Sequence, residues 1–434
     1  MAHDSSAVPP SISIEQHLAR VLESVTALPA ITVPIAEALH RTLAADVHAT
    51  ADVPGFDNSA MDGYALRRAD AVAATVDSPV TLTVIADLPA GSAENPRLQP
   101  GEAARIMTGA PVPDDADCIV PIEDTDEGTA TVRIYRAPAE SAFIRPRGTD
   151  VHAGDAVLPT GRVLGARDLA AAAASGVSTL AVHPAPRVGV LSTGSELREP
   201  GGALARGQIH DSNSLLLEAL IAECGGIPVR LGSVPDDNAA LRAILDERAP
   251  ELDAVITSGG VSVGAYDVVK AVLAPLGVWF GAVRMQPGKP QGFGRFPVDN
   301  AGATSSSASS TPGTTPRPDP LLFALPGNPV SVFVSFETFV RPALLTMAGR
   351  SPISRPTHSA TVTTGWHSPA GRAQHMPAVV ERDDQGAASV RPASAGGAGS
   401  YLVASLAGAN ALAFVPEDVT EVREGDALTV TLVS

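Results

Sequence analysis

Between about residues 187 and 347, short apolar runs alternate with stretches of helical periodicity. Strands are predicted at 188–191, 228–234 and 254–257, and helices at 214–224, 238–248 and 267–276. Alternation of this kind describes a mainly parallel sheet covered by helices on both faces. Ligands of open α/β sheets collect at the carboxyl ends of the strands. Two segments follow such ends, Ser192-Thr193-Gly194-Ser195-Glu196 and the run from Thr257 to Gly264.

The rest of the chain has a different texture. Residues 13–28 carry Ile14, Leu18, Val21, Leu22 and Val25 on one helical face, and the helix-like pattern continues through 31–46. From 53 to about 145 it gives way to short β-like runs at 80–85, 103–107, 118–122 and 131–135, punctuated by Pro and Gly. Mixed character returns at 150–157 and in a helix at 166–175, so the β module reads as an insertion into the first domain. The tail shows β-like runs at 359–363, 411–415 and 427–432. The expected architecture is therefore multidomain α/β plus β. A helical and extended domain takes 13–46 and 146–185, and a β module 47–145. A central α/β domain takes 186–350, and a C-terminal β domain 351–434. Residues 299–320, rich in Ser, Thr, Pro, Gly and Ala, are expected to form a flexible insertion between hairpin strands at 292–296 and 321–325.

Composition narrows the class. A chain of 434 residues divides into several domains. Its 44% hydrophobic and 18% charged content is that of a globular protein, and no run of about 18 apolar residues offers a membrane span. The first ten residues lack the basic and apolar regions of a signal peptide, and Cys118 and Cys224 form no CxxC pair. A cytoplasmic protein with buried thiols is expected. The net charge of −17 argues against a nucleic-acid surface, so an anionic ligand would need local basic residues or a bridging divalent cation. The ten histidines are scattered, which argues against structural zinc.

The chemistry starts in the 257–264 loop, where Ser258, Gly259, Gly260, Ser262 and Gly264 let backbone approach a phosphate-like anion. Asp267 then stands at a helix start, either as a cap or as a carboxylate facing a metal-bound phosphate. Other motifs occur in order with it: Phe56-Asp57-Asn58-Ser59-Ala60-Met61-Asp62-Gly63-Tyr64-Ala65, Met107-Thr108-Gly109-Ala110-Pro111, Ser192 to Leu197, Asp211-Ser212-Asn213, Pro287-Gly288-Lys289-Pro290 and Leu325-Pro326-Gly327-Asn328-Pro329-Val330-Ser331. Together they closely resemble the molybdopterin molybdenumtransferases, the family that includes bacterial MoeA and the E domain of gephyrin. The resemblance covers nearly the whole chain and extends to an elongated four-domain fold with a MogA-like central domain.

The resemblance implies an enzyme that takes adenylylated molybdopterin and molybdate, releases AMP with the help of Mg²⁺, and leaves molybdenum on the dithiolene. Glu196, Asp236 and Asp267 would hold the cation; Asp236 also reads as a turn residue at a helix start. Thr193, Gly194, Asp211, Ser212 and the 258–264 loop would cradle the cofactor, with Lys289, Pro326, Asn328 and Pro329; the two prolines also serve to shape their loop. Asp57, Asp62 and Thr108 would complete the site across a homodimer, with Asp150 at a further acidic position. Turn chemistry is the competing reading for these aspartates.

For molybdate the resemblance points to Lys289, Gln286, Arg284, Arg372 and Ser400. Here the chain departs from the family, with Gln286 and Ala282 where members often carry lysine. An exposed turn arginine is the competing reading of Arg372. A molybdopterin adenylyltransferase is a candidate partner. Two other functions stay open: a nucleotide or pterin enzyme of the CinA or adenylyltransferase kind, sharing only the α/β domain, and a non-catalytic scaffold.

Overall fold

The computed structural model describes residues 11–261, 267–298, 318–394 and 399–433. Ser262 and Gly264 of the anion loop, and most of the 299–320 insertion, lie outside the described residues. The chain forms two compact units. One runs to Ile31, takes in His40–Thr42 and resumes at His183; the other holds Thr32–Leu39 and Leu43–Val182.

The first unit is built on six strands: β1 (Arg187–Thr193), β2 (Ile227–Val234), β3 (Ala254–Ser258), β4 (Trp279–Ala282), β5 (Pro290–Arg295) and β6 (Leu321–Leu325). Their order is β2-β1-β3-β6-β5-β4, with β2, β1, β3 and β6 parallel and β5 antiparallel to both neighbours. This is the mainly parallel sheet that the sequence predicts. Successive side chains point to opposite faces of a strand. Val190, Ile256 and Phe323 therefore enter one core, with α1 (Ser212–Glu223) and α4 (Pro329–Ser335). Leu191, Val255 and Leu322 enter the other, beside α2 (Asn238–Arg248) and α3 (Val268–Leu273). Each buried Leu or Val on these faces stabilises the fold by roughly 1.5–3 kcal/mol.

Helix α4 continues through a π turn to Met347. The run Pro329–Met347 is apolar and long enough to cross a membrane by composition alone, yet most of it is buried in this core. Its position explains the composition. The segment 403–406 and five strands follow in the tail: Thr357–Val362, Ala373–Arg382, Ala388–Pro392, Ala411–Val415 and Ala427–Leu432. Each strand pairs with two of the others, which closes a small barrel around Val362, Met376, Val390 and Val430.

The second unit contains a five-stranded sheet in the order Cys118–Pro121, Gly63–Leu66, Glu102–Ile106, Val80–Leu88, Thr131–Ile134. Tyr64 and Leu66 pack on one face and Ala65 and Ile106 on the other. A separate core joins Val33, Leu43, Val47, Leu158 and Ala172 of the helix Ala166–Ala174.

Two expectations fail at the N-terminus. The helix Ile14–Glu23, started by a Ser13/Gln16 capping box, belongs to the α/β unit and not to the first domain: Ile14, Val21 and Val25 share a core with Val283 and Phe339. Ile12 also exchanges backbone hydrogen bonds with Ala282 and Arg284. Residues 31–46 are not helical. They form the short strands Ile31–Pro34 and Thr42–Leu43 around one 3₁₀ turn, because β-branched residues and Pro34 disfavour a continuous helix.

Candidate functional site

The carboxyl ends of β1, β3 and β6 open on a cleft of about 670 Å³. It is lined by Thr193, Gly194 and Glu196 after β1, Ser258, Gly259 and Gly260 after β3, and Gly327, Asn328 and Pro329 after β6. Asp211, Ser212 and Asn213 at the start of α1, with Asp236 and Asp267, complete the acidic and polar side. Most of the predicted cofactor and cation residues therefore meet in one place.

Close backbone approach requires the glycines. A Cβ on Gly260 (φ +67°) would lie 2.5 Å from Val269 Cγ2, and one on Gly259 (φ +94°) 2.9 Å from the Thr193 carbonyl. The Gly259 N–H donates to the Leu325 carbonyl (3.0 Å) and the Gly194 N–H to that of Val234 (3.2 Å). Both donors are thus taken by the fold, and what these two glycines give a ligand is space. Asn213 Nδ2 donates to the Gly327 carbonyl (2.7 Å), tying α1 to the β6 loop.

The carboxylates divide by role. Asp211 caps α1: it accepts from Ser214 N–H (3.0 Å), Ser214 Oγ (2.6 Å) and Ser192 Oγ (3.2 Å). Both its oxygens are engaged, and it shapes the cleft wall. At the start of α2 the cap is Asp237, which accepts from Ala240 N–H at 2.9 Å, leaving Asp236 to face Ser195 Oγ (3.3 Å) across the cleft. The cap is Asp237's, while Asp236 sits in the bend before it, spanned by the bond from the Asp237 N–H to the Pro235 carbonyl (2.6 Å). Asp267 precedes α3, and among the described residues its side chain makes no capping bond and its buried Oδ2 has no partner. Burial pushes its carboxyl above the ordinary range; Lys270 opposes this and the Asp236 charge reinforces it. The carboxylate of Glu196 folds over Gly194, whose Cβ would meet it at 2.6 Å.

An orphaned buried oxygen beside further carboxylates is a donor set that suits a hard cation. Among the described residues, however, no three acidic, His or Cys side chains form a closed metal cluster. Glu196, Asp236 and Asp267 line one cleft without making a preformed cage.

The five residues expected to take molybdate separate. Arg284 is ion-paired with Glu417 (2.9 Å) and also donates to the Ser11 carbonyl. Arg372 Nη1 donates to Gln286 Oε1 (3.3 Å), so these two do meet. Lys289 is exposed on a loop fastened from beneath, where Gln291 Nε2 donates to the Gly288 carbonyl and to Ser335 Oγ, both at 2.7 Å. Ser400 lies with the cleft: its Oγ accepts from Asn328 Nδ2 (2.8 Å) and its carbonyl from Val330 N–H (3.1 Å).

In the second unit Asp62 accepts from both the N–H and the Oγ1 of Thr108, each at 2.7 Å, which holds its carboxyl below the usual range. Asp57 accepts from Arg147 N–H (2.7 Å), and Asp150 is exposed. Asn213, in the Asp211-Ser212-Asn213 motif, and Asp237, at a helix start, carry a sequence signal; Gln291 and Tyr401 carry none.

Comparison with known proteins agrees with this architecture along the chain. Residues 12–176 match the MoeA N-terminal region (domain I and II), 189–346 a probable molybdopterin binding domain, and 359–433 the MoeA C-terminal region (domain IV). Molybdopterin molybdenumtransferase 2 of Mycobacterium tuberculosis is 44% identical over 425 residues, 96% of this chain and 98% of the relative. The molybdopterin molybdenumtransferase of Nostoc sp. is 40% identical over 311 residues, 71% of this chain and 67% of that one. Two structures of the molybdopterin biosynthesis MoeA protein of Pyrococcus horikoshii superpose with TM-scores of 0.78 and 0.70 at 30% and 28% identity. They cover 98% of this chain and 100% of theirs.

Proposed function

We propose, for a chain that belongs to the molybdopterin molybdenumtransferase family, that the cleft at the ends of β1, β3 and β6 binds adenylylated molybdopterin, accepts molybdate and releases AMP. The product is molybdenum-loaded molybdopterin, a step of molybdenum cofactor biosynthesis. The observation that carries this reading is the buried Asp267 Oδ2, without a partner among the described residues, in a cleft whose glycine loops leave room for a phosphate. Family matches on both sides of the α/β domain speak against an enzyme of that domain alone.

The residues act by position. Gly259 and Gly260 let the phosphoanhydride lie against backbone, and Asn213 holds the β6 loop in register with α1. Asp236 and Asp267 would hold Mg²⁺ together with substrate oxygens, with Glu196 beside them; an open donor set is the usual one for this ion, which keeps waters and substrate phosphates in its shell. When bound, the cation supplies charge neutralisation at the phosphates and an acidified water. Asp267, on the cation side of the cleft, would also orient the attacking water.

Lys289, and Arg372 bonded to Gln286, would supply positive charge for molybdate, and Gln286 an amide in place of the family's lysine. In the same reading the protein is a cytoplasmic homodimer in which Asp57, Asp62 and Thr108 act with the partner copy. The test is to supply purified protein with adenylylated molybdopterin and Mg²⁺ and follow AMP and protein-bound molybdenum as molybdate is added. Molybdate-dependent AMP release supports the function; its absence overturns it.

A further inference from the structure

Tyr401 is 72% exposed and lines the same cleft as Asn213, Ser258 and Gly259. An aromatic ring left so open adds little to the fold, and its body remains free to cover apolar surface. The segment that carries it is nevertheless held firmly. Ser400 accepts from Asn328 Nδ2 through its Oγ and from Val330 N–H through its carbonyl, and Leu402 N–H closes a turn onto Gly399 O (3.1 Å). The barrel domain thus delivers one tyrosine to the mouth of the α/β cleft, with exposed Ile209 and Val403 also on its walls.

Resting on the reading that this cleft takes adenylylated molybdopterin, we propose that Tyr401 is a substrate-binding residue whose ring stacks on a flat nitrogen heterocycle of the substrate. Ser400, bonded to Asn328 and Val330, anchors the segment that carries it. Apart from Leu197, Ile209, Pro329 and Val403, the other described lining residues are mostly polar, acidic or glycine and suit phosphate and hydrogen-bonding edges. The other ring among the described lining residues is the smaller, polar imidazole of His210, and Tyr401 supplies the large flat apolar face for a pterin or adenine ring. Both rings offer a π-face, and the stack is with one of them.

The test uses the full chain and measures equilibrium binding of adenylylated molybdopterin, with molybdopterin and AMP as separate probes, to wild type, Tyr401→Leu and Tyr401→Phe. Losing one such stack should raise the Kd of Tyr401→Leu for the adenylylated substrate about tenfold, while Tyr401→Phe stays within about twofold of wild type. In turnover the loss should fall on KM and not on kcat. A matching loss with AMP assigns the adenine; one with molybdopterin assigns the pterin. Unchanged binding of all three probes by Tyr401→Leu overturns the inference while leaving the function intact. Wild-type protein that binds none of the probes overturns the functional reading and the stacking with it.

Discussion

Asp267 shows how far a single residue could be read. Its place after the glycine loop made it either a cap or a ligand-facing carboxylate, and the missing capping bond together with the orphaned Oδ2 favours the second. Arg284 shows the opposite. Its partner Glu417 lies 133 positions away, on the tail, and no local pattern could announce that pair. A carboxyl whose folded pKa is raised costs stability once ionised. That cost is absent below the ordinary carboxylate range and grows as pH rises through the raised value. Asp267→Asn should therefore melt at a higher temperature than wild type at neutral pH, and the gap should close on acidification. Melting curves across pH check this; a variant less stable than wild type at neutral pH would mean that the carboxylate has a partner in the fold.

At the scale of elements, legibility followed periodicity. Helix Asn238–Arg248 and strand Ala411–Val415 match the sequence reading residue for residue, because an aspartate cap and an apolar run mark their limits. Ala373–Arg382, the longest strand of the barrel, was missed: its polar residues and Pro377 conceal an alternation of buried and half-buried positions. The 31–46 stretch misled because isolated apolar residues imitate a helical face until Pro34 and the β-branched residues are weighed. The glycine loop after β3 was legible, since its small residues have few other uses. Gly260→Ala should be destabilising by about 2–4 kcal/mol, combining a left-handed backbone with a clash against Val269. Denaturant unfolding and substrate binding measured together would check it. Wild-type stability would show that the loop relaxes freely.

For the molecule as a whole, the net charge of −17 opposes every anionic substrate. Screening should therefore help. Between about 0.01 and 0.15 M salt the Debye length falls from roughly 30 to 8 Å, so KM for the adenylylated substrate should drop over that range. A KM that climbs with salt would show that basic groups at the cleft dominate the encounter. The same acidity makes the cation dependence of the reaction the most direct probe of the central claim, that Glu196, Asp236 and Asp267 form the reacting side of the cleft. The decisive measurement is AMP release against Mg²⁺ concentration for wild type, Glu196→Gln and Asp267→Asn, with a chelator control. The account predicts release abolished by excess chelator and lowered by about a hundredfold or more in Asp267→Asn, with a rightward shift in Mg²⁺ dependence for Glu196→Gln. Full turnover by Asp267→Asn, or undiminished release in excess chelator, would contradict it.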